Sequence, residues 1–384
     1  MSALAKLFAV VVFAAGLTAC ASILLSAVAM VVVPRATPLL LPRVVFRLVY
    51  LLFKLRTARV RSWEQREQAF SHYAPVGLLS VAAVWLVVIL AGYTAMDWAL
   101  GVRPLRQAFV LSGSSLFTLG FAVPHDLPTG ILAFTEAGLG LLLLALLITY
   151  LPTMYGVFSR REALVAELDV RAGVPPSAAE LLARFYRIQG LERLGPMWVT
   201  WERWFVDLDE THTSFPALAL FRSPQSHRSW VTAAGAVLDG ASLTVSTIDL
   251  PAGPDPQLCI RAGFLALRRI AAGFGIGFDP DPAPDDPISV TRGEYDEVCD
   301  RLAELGVPLK ADREQAWRDF AGWRVNYDTV LLALAALTMA PYAPWSSDRS
   351  TTRRPPLRRR RGSVDTAAPR SRLLEPGQAK RARG

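Results

Sequence analysis

Several clusters along this chain carry residue types that could do chemistry. Gly273, Gly275 and Gly277 form a glycine-rich run of the kind that cradles phosphates, but no strand precedes them and the spacing is not that of a phosphate loop; they read as a helix end and turn. Glu210, His212 and His227 are metal-ligand types on no recognisable ligand spacing, and read as hydrogen-bonded structural residues. Asp279, Asp281, Asp285 and Asp286 make an acidic loop without the glycine and glutamate of a calcium loop, and read as solvated linker. Cys20, Cys259 and Cys299 are odd in number and widely spaced, so they give neither a disulfide framework nor a zinc site. With no nucleophile elbow, phosphate loop or zinc-protease motif, the sequence points away from an enzyme, a resident metal and a cofactor. Glu136 differs from all of these. It lies in the outer third of an apolar run, where an ionisable group is costly unless paired or hydrated. Ser114, Ser115 or nearby backbone amides are the expected partners.

The elements that position Glu136 are membrane segments. Of the 384 residues 52% are hydrophobic, in nearly unbroken runs before residue 160 and in ordinary globular patterning after it. Residues 7–33, 76–96 and 131–151 are each long enough to cross a hydrocarbon core, and each satisfies its backbone internally only as a helix. Leu17, Thr18, Ala19 and Cys20 match a lipoprotein cleavage box, but the apolar run continues through Val33, so the sequence predicts an uncleaved helix. Net charge is +8. From Asp348 onward there are twelve Lys/Arg against three Asp/Glu, which leaves the rest close to neutral; the basic balance describes a tail and implies no nucleic acid.

Loop charge predicts orientation. The segment 34–73 carries Arg35, Arg43, Arg47, Lys54, Arg56, Arg59, Arg61 and Arg66 against Glu64 and Glu67, whereas Arg103 and Arg106 balance Asp97 and Asp126 between the second and third runs. Positive loops stay inside, so a multi-pass protein of the plasma (inner) membrane is expected, N-terminus outside and C-terminus cytoplasmic. Within the first loop, Pro42 can open a helix on which Arg43, Arg47 and Lys54 share one side, opposite Val44, Val45, Leu48, Leu51 and Leu52. That pattern predicts a helix lying on the inner leaflet, its cations against anionic lipid, the alternative being an amphipathic helix packed on the cytoplasmic domain.

Between the second and third runs, residues 105–128 are too short and mixed to span, and too apolar for an ordinary exterior loop. They predict a short helix over 105–117 followed by extended Thr118, Leu119, Gly120 and Phe121. The stretch Ser115-Leu-Phe-Thr-Leu-Gly-Phe121 resembles the potassium-channel signature Thr-x-x-Thr-Val-Gly-Tyr-Gly, and the order of elements resembles that family's pore module of outer helix, pore helix, filter and inner helix. The resemblance extends to a family of potassium-channel-like bacterial membrane proteins with a helical cytoplasmic domain. It runs from Tyr150-Leu-Pro-Thr-Met-Tyr-Gly-Val-Phe-Ser-Arg-Arg-Glu162 through Asp169-Val-Arg-Ala-Gly-Val-Pro-Pro-Ser177, Trp201-Glu202-x-Trp204, Glu210-x-His212, Phe221-Arg222-Ser223 and Ser229-Trp230, covering most of residues 76–345.

What the resemblance implies is a filter at Thr118, Leu119, Gly120 and Phe121, whose carbonyl oxygens and threonine hydroxyl replace the hydration shell of a permeant potassium ion. Thr118 would supply the hydroxyl, Gly120 the permissive backbone and Phe121 an aromatic cuff, with Ser115 and Glu136 as support. A carbonyl-lined filter takes four loops, so the expected assembly is a homotetramer in the lipid bilayer. On the inner helix Gly138 and Gly140 permit close packing or a bend and Pro152 can kink the segment, so the three are candidate gate hinges and equally what a packed transmembrane helix shows. Two positions depart from the pattern: the family's second glycine is Ala122, and its aspartate is Val123. A non-conducting scaffold or signalling protein that keeps the architecture is the alternative.

After residue 177 apolar residues recur at three and four, with breaks at Pro251 to Pro256 and Pro280 to Pro287. Helices are predicted over 178–189, 191–210, 229–246, 257–274, 294–305, 312–323 and 328–339. The apolar run 330–340 is too short to span and is expected to be buried or to touch the membrane. From Ser346 a disordered basic tail begins, in which Arg358, Arg359, Arg360 and Arg361 are candidates for anionic lipid. The expected organisation is thus an all-α membrane protein: a first transmembrane helix (1–34), an interfacial amphipathic segment (35–75), a pore module with a re-entrant helix and loop (76–159), a helical cytoplasmic domain (160–345) and the tail (346–384).

Overall fold

The computed structural model describes residues 3–31, 40–58, 65, 69–188, 190–251 and 253–349. Arg35, Arg59, Arg61, Arg66 and the tail cations Arg358, Arg359, Arg360 and Arg361 lie outside them. Among the described residues the fold is all-helical, with no strand and one isolated bridge between Ile248 and Leu309. The described residues of the first half include α1 (Ala3–Val31), α2 (Leu40–Thr57), α3 (Tyr73–Ala99), α4 (Leu105–Leu116) and α5 (Leu127–Ala172). The second half holds α6 (Ala178–Ile188), α7 (Gly195–Ser214), α8 (Trp230–Ser246), α9 (Asp255–Gly273), α10 (Arg292–Glu304), α11 (Arg313–Arg324) and α12 (Asp328–Thr338), with 3-10 turns at Leu191–Leu194, Pro216–Leu220 and Ser347–Arg349.

Three of these helices, α1, α3 and α5, are long and apolar enough to cross a membrane, as the sequence predicts. α3 and α5 outrun the predicted segments at both ends, and α1 begins four residues before its own. The 46 residues of α5 rise about 69 Å, over twice the roughly 30 Å of a hydrocarbon core, so its C-terminal half projects well past any bilayer. Asp126 starts it, accepting the Thr129 amide at 3.0 Å, and Gly173, at φ +83°, ends it. Pro152 lies inside the helix, which continues through it unbroken.

Glycines set how closely the apolar helices approach. A Cβ on Gly16 of α1 would stand 2.6 Å from the Gly92 carbonyl oxygen of α3, and one on Gly92 would strike the Cys20 sulfur, so the two backbones meet face to face at small residues. Gly77 of α3 seats the Phe46 ring of α2 in the same way, and the Tyr73 hydroxyl donates to the Phe46 carbonyl at 3.2 Å.

In the second half α8 is buried along nearly its whole length, which makes it the central helix around which α5, α6, α9, α11 and α12 pack. Its one carboxylate, Asp239, is paired with fully buried Arg324 of α11, which also bonds Asp328 and the Trp345 carbonyl. The apolar run 330–340 resolves into α12, whose Val330, Leu331, Leu334 and Ala335 lie in the core, the buried alternative of the two expected. The helical domain also continues past the expected boundary at Ser346: Ser346 is buried, and Arg349 donates to the Ser289 carbonyl at 2.5 Å and to Glu294.

The decoy clusters resolve as structure. Gly273 closes α9 and Gly275, at φ +72°, makes the turn after it. His227 lies 3.5 Å from Asp169. Asp279 and Asp286 accept loop amides, from Asp281 and Ala283. No group of three metal-ligating side chains stands together among the described residues.

Candidate functional site

The short helix α4 is wedged between α3 and α5, with Ala108, Leu111, Ser112, Ser114 and Leu116 buried against them. It ends at Leu116, one residue before the predicted limit. Gly140 of α5 permits this seat, since any Cβ there would overlap the Leu116 carbonyl oxygen. Gly140 is therefore a position of close packing, one of the two roles, packing or bending, that the sequence offers it. Gly138, two residues earlier, has open space where its side chain would be.

Two serines tie α4 to its surroundings, and neither is Ser115. The Ser112 hydroxyl lies 2.5 Å from Oε1 of Glu136, which is 1% exposed, and 3.1 Å from the Leu90 carbonyl of α3. One side chain thus joins all three helices. The Ser114 hydroxyl accepts the Ala122 amide at 3.1 Å, holding the far end of the loop against the helix. Ser115 turns back on its own helix, donating to Leu111 at 3.0 Å. Glu136 thus meets α4 at Ser112, one turn before Ser115, and not at Ser114, Ser115 or the backbone amides that the sequence suggests. Beside it, Tyr93 donates to Thr135 at 3.2 Å.

At the C-terminal end of α4, the Thr118 amide bonds the Ser115 carbonyl at 3.0 Å and the Leu119 amide bonds the Ser114 carbonyl at 2.8 Å. That pair of bonds is a Schellman closure, whose left-handed position normally belongs to glycine. Here Thr118 occupies it, at φ +54°, a strained conformation for a β-branched residue. Gly120 follows at φ +73°, while Leu119 between them keeps a negative φ. The backbone therefore alternates in hand over three residues, which keeps successive peptide groups from adopting the opposed directions of a strand.

Thr118, Leu119, Gly120 and Phe121 all lie at the surface of the single chain, Leu119 62% and Phe121 66% exposed. The space beside Gly120 is open. Phe121 packs no cuff within its own chain. The Thr118 hydroxyl rests on the Phe117 carbonyl at 2.8 Å.

A second constellation, which the sequence did not single out, joins α5 to the helical domain. Arg161 is 2% exposed; it donates to the Leu218 carbonyl at 2.9 Å, the Phe221 carbonyl at 2.8 Å and Glu162 at 2.7 Å. Its Nη1 also stands 3.0 Å from His212 Nε2. A guanidinium only donates, so the imidazole accepts through Nε2 and is neutral. Burial, reinforced by the Arg161 charge, holds His212 well below the ordinary histidine range. The segment gripped by Arg161 in turn grips the long helices: Leu218 is buried with Leu78 of α3 and Tyr150, Met154 and Val157 of α5, and Phe215 meets Tyr150 edge-on at 5.7 Å. Arg160 and Arg161 are alike in the sequence, and only the fold shows that Arg161 points inward while Arg160 is exposed.

No protein-family model, curated protein or solved structure matches this chain.

Proposed function

We propose that this chain is one subunit of a homotetrameric, potassium-channel-like cation channel of the plasma (inner) membrane, with its N-terminus outside and its helical domain in the cytoplasm. The observation that carries the reading is a short helix locked between two long apolar helices, delivering an exposed loop whose backbone alternates in hand at Thr118, Leu119 and Gly120. Carbonyl oxygens left free on the surface of one subunit become ligands when four loops meet on an axis, each replacing part of an ion's hydration shell. The pore helix points its negative C-terminal end the same way, favouring a cation. Ser112, Ser114, Glu136 and Gly140 hold that helix in register, and the Arg161 joint makes the helical domain the element that moves or holds the inner helix.

A second reading, a non-conducting scaffold with the same architecture, is favoured by one feature. Ala122 has a negative φ and its amide is tied to Ser114, so the alternation of hand stops at Gly120. Potassium flux into vesicles reconstituted with the full chain separates the two. The channel reading expects flux from the parent chain, increased by Ala122→Gly. Absence of flux from both would leave the scaffold reading.

A further inference from the structure

We infer that α2 lies in the surface of the membrane as a lipid-facing helix whose cations bind anionic headgroups, an assignment independent of whether the loop conducts. The helix has three faces rather than the two its sequence suggests. Val45 and Val49 are buried, and Phe46 sits on Gly77, so one face is spent on α3. Val45, grouped by sequence with the free apolar residues, belongs to this face. Leu40, Val44, Leu48, Leu51, Leu52 and Leu55 are all exposed, Leu52 65% and Leu55 73%, and fall within an arc of about 120°. Arg43, Arg47 and Lys54 are exposed too, clustered within about 40° along one border of that arc.

A stripe of six exposed aliphatic side chains is not a water-facing surface. Its location selects the occupant. Tyr73 and Gly77, which hold α2, are at the start of the spanning helix α3, so α2 is fixed at the depth where a bilayer ends. Phe46, Tyr50, Phe53, Phe70 and Tyr73 form an edge-to-face and tilted aromatic cluster at the same level, and its two tyrosines are the amphipathic rings favoured at a headgroup boundary. Acyl chains therefore cover the leucine stripe while the bordering cations reach phosphate.

The test uses the full chain in vesicles of three parts phosphatidylcholine to one part phosphatidylglycerol, with single nitroxides attached at Leu48→Cys, Leu55→Cys and Arg47→Cys. Val87→Cys, on the exposed side of α3, is the lipid reference and Asp285→Cys the water reference; the parent chain controls for its three buried cysteines. Positions 48 and 55 should admit oxygen and exclude a water-soluble nickel chelate to the level of position 87, with 47 intermediate between 87 and 285. Nickel access at 48 equal to that at 285 would overturn the assignment. Exclusion of both reagents at 48 would overturn it as well, by giving the face to a second copy of the chain or to another protein. Replacing Arg43, Arg47 and Lys54 by glutamine should abolish the preference of boundary spin-labelled phosphatidylglycerol over phosphatidylcholine. An unchanged preference would remove the headgroup role of these cations.

Discussion

The carbonyl oxygen of Leu116 fills the space that a side chain on Gly140 would need. The last turn of the short helix and the wall of the inner helix are thus in backbone contact, and the loop that follows is registered to α5 through this one position. Gly140→Ala should force α4 off its seat, destabilising the protein by about 1–3 kcal/mol as overpacking does. Gly138→Ala, two residues away and facing open space, should be neutral or gain up to about 1 kcal/mol of helix propensity. Thermal unfolding of the two variants in detergent checks the contrast; equal midpoints would mean that α4 is not seated on Gly140.

Strain at Thr118 gives a second expectation. A left-handed threonine costs about 1–2 kcal/mol, which a protein keeps only if the hydroxyl or the carbonyl direction is useful there. Thr118→Gly should raise the thermal midpoint and, if the chain is the proposed channel, lower its potassium selectivity; Thr118→Val should lower selectivity without relieving the strain. A glycine variant that is more stable and equally selective would reduce Thr118 to a helix terminator.

Glu136 is an acceptor for Ser112 inside a three-helix junction. Glu136→Gln keeps an acceptor oxygen of the same reach and should remain within about 1 kcal/mol of the parent. Glu136→Ala leaves the Ser112 hydroxyl only the Leu90 carbonyl and opens a void between the helices, so a loss of about 1–3 kcal/mol is expected, together, if the chain is the proposed tetramer, with faster dissociation of the assembly on native gels. Identical behaviour of the two variants would dissociate Glu136 from the support of the loop.

The Arg161 and His212 pair makes stability depend on pH. Unfolded, His212 takes up a proton near its ordinary value of 6.5; folded, it stays neutral well below that. The unfolded chain thus binds more protons once pH falls below about 6.5, and stability, fully present above that point, declines by up to about 1.4 kcal/mol per pH unit. Melting between pH 7.5 and 5 should follow this course in the parent chain. In His212→Gln, whose side-chain oxygen still accepts from Arg161, that component should be gone. A parent chain with a flat profile would mean that the imidazole is not held neutral.

Much of this arrangement was legible in the sequence, and the failures share one cause. Helix positions from α6 to α12 followed from apolar spacing, because each amphipathic stripe reports burial directly. The three long helices and the short one between them followed from length and composition. Which serine meets Glu136 did not: Ser112, Ser114 and Ser115 are all within one turn, and the crossing of α4 over α5 decides among them. Gly140 looked like a hinge because a glycine in an apolar helix signals close approach and flexibility alike. Arg161 resembled Arg160 beside it, yet one is buried and the other exposed. The packed stretch from Trp345 to Arg349 has no period at all, so charge in the following tail masked it. Local pattern tells which face is apolar; it does not tell which partner that face will meet.

The central claim is that four copies of the 118–121 loop surround one axis. Dipolar spectroscopy on the full chain in bilayers, with a single nitroxide at Leu119→Cys, measures this directly, since Leu119 is exposed on the loop. The account predicts two short distances related as the side and the diagonal of a square. A single distance, as from a dimer, or no dipolar coupling at all would contradict it.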